Sequence, residues 1–119
     1  MTLAELQTLL EYHYWARDRV LDAAAALTPE QFTRNLGSSF KSVRDTLAHI
    51  YAAEWAWCSR WNGHSPPALL AADLFPDVST LREKWRELET SVHAVLDRMG
   101  QQGLDQVIAY TMINGDARS

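Results

Sequence analysis

Apolar residues recur along most of this chain at the spacing of a helix face rather than with the alternation of a half-buried strand. Leu3, Leu6, Leu10, Val20, Leu21 and Ala24 fall on one side of a helix that turns about 100° per residue, which predicts a first helix over residues 2–27. Thr2, with Glu5 three residues later, forms a capping box at its start. Thr28-Pro29 ends it and opens a short turn over residues 29–33, with Thr28 as cap and Pro29 at the first helical position. Residues 35–39, with Gly37 and two serines, read as a loop. A second helix is predicted from Ser42 through Trp61, with Asp45 as its capping acid, a stop at Asn62-Gly63 and an apolar stripe of Val43, Leu47, Ile50, Trp57 and Trp61.

Pro66, Pro67 and Pro76 make residues 63–78 a long loop with at most one helical turn, around residues 68–72. The third helix is predicted over residues 79–99, with Thr80 and Glu83 as a capping pattern. Leu81, Trp85, Leu88, Val92, Val95 and Met99 form the cleanest stripe in the chain, and Gly100 is placed to cap its end. Beyond Gly103 the pattern changes. Residues 107–113 are β-prone and Asn114-Gly115 is a turn signal, which together predict a short β-ribbon. The expectation is an all-α, up-and-down helical bundle forming a single domain over residues 1–119, plus that ribbon. Three stripes leave a four-helix core with one wall open. Several hundred Å² of exposed apolar surface, at ~25 cal/mol per Å², would rival the whole stability of a small domain. Association of two copies, a rearranged ribbon or a further helix would cover it, and two copies are the expectation.

Charge and composition narrow the function. A net charge of -4 speaks against a nucleic-acid partner, which needs a basic patch. No apolar run approaches the ~20 residues that cross a bilayer, so no membrane partner is expected. The early residues lack a basic n-region, and the single cysteine, Cys58, cannot form an internal disulfide; both fit a cytoplasmic location.

Gly-rich phosphate loops, CxxC, HExxH and G-x-S-x-G are absent, so the candidate chemistry rests on a few polar residues along the helices. His13 and Arg17 lie one turn apart within the inward stripe of the first helix, and Glu54 lies within that of the second. Leaving such groups buried without partners costs ~1–3 kcal/mol each. Two readings stand: His13 and Arg17 reach a rim or pair with Glu54, or they line a polar pocket inside the bundle. His49 flanks the second helix's stripe beside Ala53 and Ala56, small neighbours that leave room for a ligand or a metal. One histidine cannot make a metal site alone. His93 is expected to face solvent, His64 sits in a loop, and Cys58 reads as a small buried hydrophobe. Trp55, Trp57, Trp61 and Trp85 read as core or interface, whereas Trp15 projects opposite its stripe and marks a partner surface.

The segment Tyr12-His13-Tyr14-Trp15-Ala16-Arg17-Asp18-Arg19-Val20-Leu21 resembles the first-helix pattern Y-N-x-W-A-N-x-R-L-L of DinB/YfiT-like proteins. Ser42-Val43-Arg44-Asp45-Thr46-Leu47-Ala48-His49-Ile50, followed by Ala53-Glu54, is similar to that family's second-helix pattern S-[IV]-R-D-T-L-A-H-[IL], then A-E. Thr28-Pro29-Glu30-Gln31-Phe32 resembles its exit from helix one, and the ribbon near Asn114-Gly115 resembles the strand pair before its fourth helix. The resemblance implies a four-helix bundle, commonly a homodimer, that holds a divalent metal such as Ni²⁺ or Zn²⁺ through three histidines. His49 matches one of them; the other two belong to an H-x-x-x-H pair on a fourth helix that this sequence lacks. His13 and Arg17 stand where the family has inward asparagines, so Arg17 would repel a cation and His13 would add a donor. Characterised members include metal-dependent transferases that use low-molecular-weight thiols, hydrolases and isomerases. The resemblance therefore implies a metal-dependent thiol transferase or hydrolase when a fourth helix completes the site. The alternative is a non-catalytic bundle module that dimerises. His13, Arg17 and Glu54 are the expected pocket residues, His49 the expected metal ligand, and no catalytic residue is assigned.

Overall fold

The computed structural model describes residues 2–37, 41–64, 66–68 and 70–113, with side chains described up to residue 105. The first helix, α1, spans Leu3–Ala25 and starts in the expected capping box: the Thr2 hydroxyl accepts from the Glu5 N–H, and the Glu5 carboxylate accepts from the Thr2 N–H. A second box, between Thr28 and Gln31 with Pro29 at the first position, sets the short helix α2, Pro29–Thr33. Ser42 caps α3, Val43–Trp61, by accepting from the Asp45 N–H at 3.0 Å, and Asn62 closes it. In the proline-rich connection the regular element is a 3-10 turn at Ala72–Leu74, later than the turn predicted at 68–72. The last helix, α4, spans Val78–Ile113. Its start is capped by Asp77, whose carboxylate accepts from the Thr80 N–H at 2.7 Å, rather than by the predicted Thr80–Glu83 pair.

Gly100 interrupts α4 with φ 63 and ψ -171, a backbone conformation open essentially to glycine alone. The predicted stop at this residue is thus present as a break, but the chain resumes as helix beyond it. Residues 107–113 are helical in backbone, and no strand occurs among the described residues, so the expected β-ribbon is corrected. The physical reason is pairing. A strand satisfies its backbone only against a neighbour, whereas a helix satisfies it internally, and β-propensity is easily overridden by context. The predicted turn at Asn114-Gly115 lies outside the described residues.

Both α1 and α3 pack on α4, which forms the spine of the bundle. Leu81, Trp85, Leu88, Val92 and Val95 of α4 are all buried, as their stripe predicts. They meet Tyr14, Leu21 and Ala24 of α1 and Leu47, Ala48, Tyr51 and Cys58 of α3. The 3-10 turn lies against α3, and the adjoining Phe75 packs edge-on to Tyr51, with ring centroids 5.1 Å apart. Full burial of each large apolar side chain in this cluster contributes about 1.5–3 kcal/mol.

The other two stripes differ from expectation. On α1, Val20 is 48% exposed, and Tyr14 joins the expected Arg17, Leu21 and Ala24 on the buried side. On α3 the buried side is Leu47, Ala48, Tyr51, Ala52, Ala56 and Cys58, while Ile50, Trp57 and Trp61 are exposed. No helix among the described residues is long and apolar enough to cross a membrane.

Candidate functional site

The rotation of α3 that buries Leu47, Tyr51 and Cys58 carries Glu54 toward α1 and α4. Its carboxylate becomes the meeting point of three donors from two helices. His13 Nε2 and Tyr14 Oη of α1 lie 2.7 Å and 2.8 Å from it, and Trp85 Nε1 of α4 lies 3.1 Å away. His13 and Trp85 share Oε1, and Tyr14 donates to Oε2.

Burial alone would raise the Glu54 pKa. The hydrogen bonds from His13, Tyr14 and Trp85 outweigh it, so the carboxyl is held below its ordinary 4.5 and is ionised at neutral pH. An ionised carboxylate only accepts, so His13 Nε2 carries the proton of this contact, and the other ring nitrogen, Nδ1, takes no part in it. Tyr14 responds in the opposite sense. Burial, then the Glu54 charge and the hydrogen bond to it, push its phenol well above the usual range, so it remains a donor. Burial raises the Cys58 thiol too, with the Glu54 charge acting in the same direction, which leaves it unreactive.

Above the carboxylate lies a groove of about 550 Å³ between α1 and α3. Leu10, His13 and Tyr14 line it from α1, Ile50, Glu54, Trp57 and Trp61 from α3, and Val92 from α4. Its walls are apolar and aromatic, and its polar groups are gathered at Glu54, whose side chain is 17% exposed. The His13 side chain is 40% exposed, so the pair is reachable from solvent.

The structure thus brings two of the expected site residues, His13 and Glu54, into direct contact. Arg17 lies behind them and does not line the groove. Its side chain is 5% exposed, stacks at 4.7 Å on the Tyr14 ring, and pairs with Glu89 at 2.7 Å and Asp18 at 2.9 Å. Its Nη1 has no hydrogen-bond partner among the described residues. His49 is elsewhere. It precedes Glu54 by five residues, a rotation of about 140° on a helix, and occupies an exposed position on α3 outside the groove. His93, expected to face solvent, is half-exposed and lies 3.9 Å from Glu89 and 5.9 Å from the Tyr14 ring centroid.

Among the described residues, no three His, Cys, Asp or Glu side chains converge in a way that could hold a metal ion. The one carboxylate in the groove is already surrounded by hydrogen-bond donors, an arrangement suited to holding an anion in place. Of the three histidines that the motif resemblance implies, the described residues supply His49 alone.

Tyr14 and Trp85 were not among the sequence candidates. A signal for them exists: a buried Tyr or Trp seeks a partner for its O–H or N–H, and both lie on inward stripes beside one carboxylate out of place on a third.

No curated protein matches the chain. The model of the DinB family matches residues 1–111, nearly the whole length, and the helical fold with the Ser42–Ile50 segment on α3 agrees with it: the chain belongs to the DinB family.

Proposed function

We propose that this chain is a small-molecule-binding domain of the DinB family, with the groove between α1 and α3 as its binding site and the Glu54–His13 pair as its polar centre. The supporting observation is the ionised Glu54 carboxylate, bound by His13, Tyr14 and Trp85 at the base of an otherwise apolar groove. A mostly apolar pocket with few convergent polar groups is the ordinary form of a ligand site. In chemical terms the pair is a base with its orienter. Glu54 fixes the imidazole through Nε2–H and would stabilise the imidazolium, while Nδ1 can take a proton from a bound water or thiol. That fits hydrolysis or thiol transfer.

Titration with N-phenyl-1-naphthylamine, a neutral probe that fluoresces in apolar sites, tests the groove. Saturable one-site binding is expected, weakened about tenfold or more by the double substitution Trp57→Ser and Trp61→Ser. Binding that is absent, or unchanged by that substitution, would refute the reading.

A second reading is divalent-metal binding through His49. Its support is the family match over residues 1–111 together with the place of His49 in the Ser42–Ile50 segment, which resembles that family's second-helix pattern. Calorimetric titration of this chain with Ni²⁺ and Zn²⁺ is expected to show weak binding that His49→Ala removes. Stoichiometric sub-micromolar binding that survives His49→Ala would show that His49 is not the ligand.

A further inference from the structure

The charge and hydrogen-bonding capacity of Glu54 define the class of molecule that fits the groove. An ionised carboxylate has about four acceptor positions. His13 and Trp85 occupy two on Oε1 and Tyr14 occupies one on Oε2, which leaves Oε2 able to accept one more. Tyr14 and Trp85 are neutral donors, so their hydrogen bonds share the negative charge of Glu54 without cancelling it, and His13 offsets it only while both ring nitrogens carry a proton. The nearest buried cation does not cancel it either. Arg17 is held by Glu89 and Asp18, so that group of three carries net negative charge as well. The walls next to the carboxylate are Leu10, Ile50, Trp57, Trp61 and Val92. An anionic ligand would meet the Glu54 carboxylate at low dielectric, and a neutral apolar one would leave its remaining acceptor unsatisfied.

From this we infer that the groove takes a small organic ammonium ion: an amine protonated at neutral pH, carrying an apolar or aromatic body. One N–H of the ammonium donates to Glu54, and the body lies against Ile50, Trp57 and Trp61, whose indoles also attract a cation through their ring faces. Arg60, 4.9 Å over the Trp57 ring, already uses that indole in this way at the rim. The inference rests on the groove being the ligand site and adds the chemistry of the ligand.

The test compares three probes of similar size on the folded chain near pH 7.5: 2-phenylethylammonium, 2-phenylethanol and 3-phenylpropionate. Alkylammonium groups ionise near ~10, so the first is fully charged. NMR titration reads affinity and location together, through the indole N–H signals of Trp57 and Trp61. The ammonium is expected to bind about tenfold more tightly than the alcohol, and the carboxylate weakest of the three. Glu54→Gln should reduce the ammonium advantage to about twofold or less, and His13→Ala, which leaves the Glu54 charge in place, should preserve it. An ammonium that binds no better than the alcohol in the wild-type chain overturns the inference. So does an advantage that survives Glu54→Gln. The wild-type comparison stands by itself if Glu54→Gln does not fold. Equal affinities with shifts at Trp57 and Trp61 overturn the amine assignment alone, whereas shifts confined to other parts of the molecule overturn the groove reading with it.

Discussion

Replacing Glu54 with alanine removes the acceptor for three donors at once, and the structure sets the size of the effect. Tyr14 and Trp85 are buried, so their O–H and N–H cannot turn to water. Each orphaned buried donor costs ~1–3 kcal/mol, which gives ~2–6 kcal/mol for the two. His13 is 40% exposed and can bond to solvent, so it adds little. Removing the partly buried charge returns some desolvation energy. The expected net loss is about 2–4 kcal/mol, a large share of the ~5–15 kcal/mol that holds a small domain together. Urea unfolding followed by tryptophan fluorescence measures it, as a lower midpoint with an unchanged slope. Tyr14→Phe should cost about 1 kcal/mol, and the double variant should cost less than the two losses added, because both act on one hydrogen bond. A Glu54→Ala chain within about 0.5 kcal/mol of wild type, or strictly additive losses, would refute the claim that this carboxylate ties α1, α3 and α4 together.

The same carboxylate governs acid sensitivity. Its pKa is lower folded than its ordinary 4.5, so its stabilising contribution is complete above pH 4.5 and is lost as pH falls further; the acid limb of stability against pH should be shallower in Glu54→Gln. Leu21→Ala, at a fully buried position, should cost about 2–5 kcal/mol in thermal or urea unfolding, while Val20→Ala next to it should change stability by about 0.5 kcal/mol or less. Gly100→Ala places a Cβ at φ 63 and ψ -171, a region essentially restricted to glycine, and should cost about 1–3 kcal/mol in the same assay. Association of two copies through the exposed Tyr12 and Trp15, whose rings lie 5.7 Å apart on the outer side of α1, predicts a dimer in sedimentation velocity at micromolar concentration that Trp15→Asp converts to monomer.

The starts of α1, α2 and α3 were legible in the sequence because they are local chemistry. The side chains of Thr2, Thr28 and Ser42 each accept a backbone N–H three residues on, so no distant part of the chain has to be known. The α4 stripe was legible for a related reason: α4 has neighbours on both sides, so its whole apolar face is covered. The faces of α1 and α3 were not. Val20, Ile50, Trp57 and Trp61 have the right spacing, but spacing gives the width of an apolar stripe and not which edge of it meets another helix, and here one edge borders the groove or solvent. The segment at 107–113 read as a strand because propensity carries no information about whether a partner strand exists. For the site, Glu54, His13 and Arg17 stood out as polar residues on apolar stripes, which is a one-dimensional signal. That Glu54 meets His13, Tyr14 and Trp85, and that Arg17 turns instead to Glu89, depended on residues 31 to 72 positions apart being brought together by the packing of α1 and α3 on α4, and only the tertiary structure decides that.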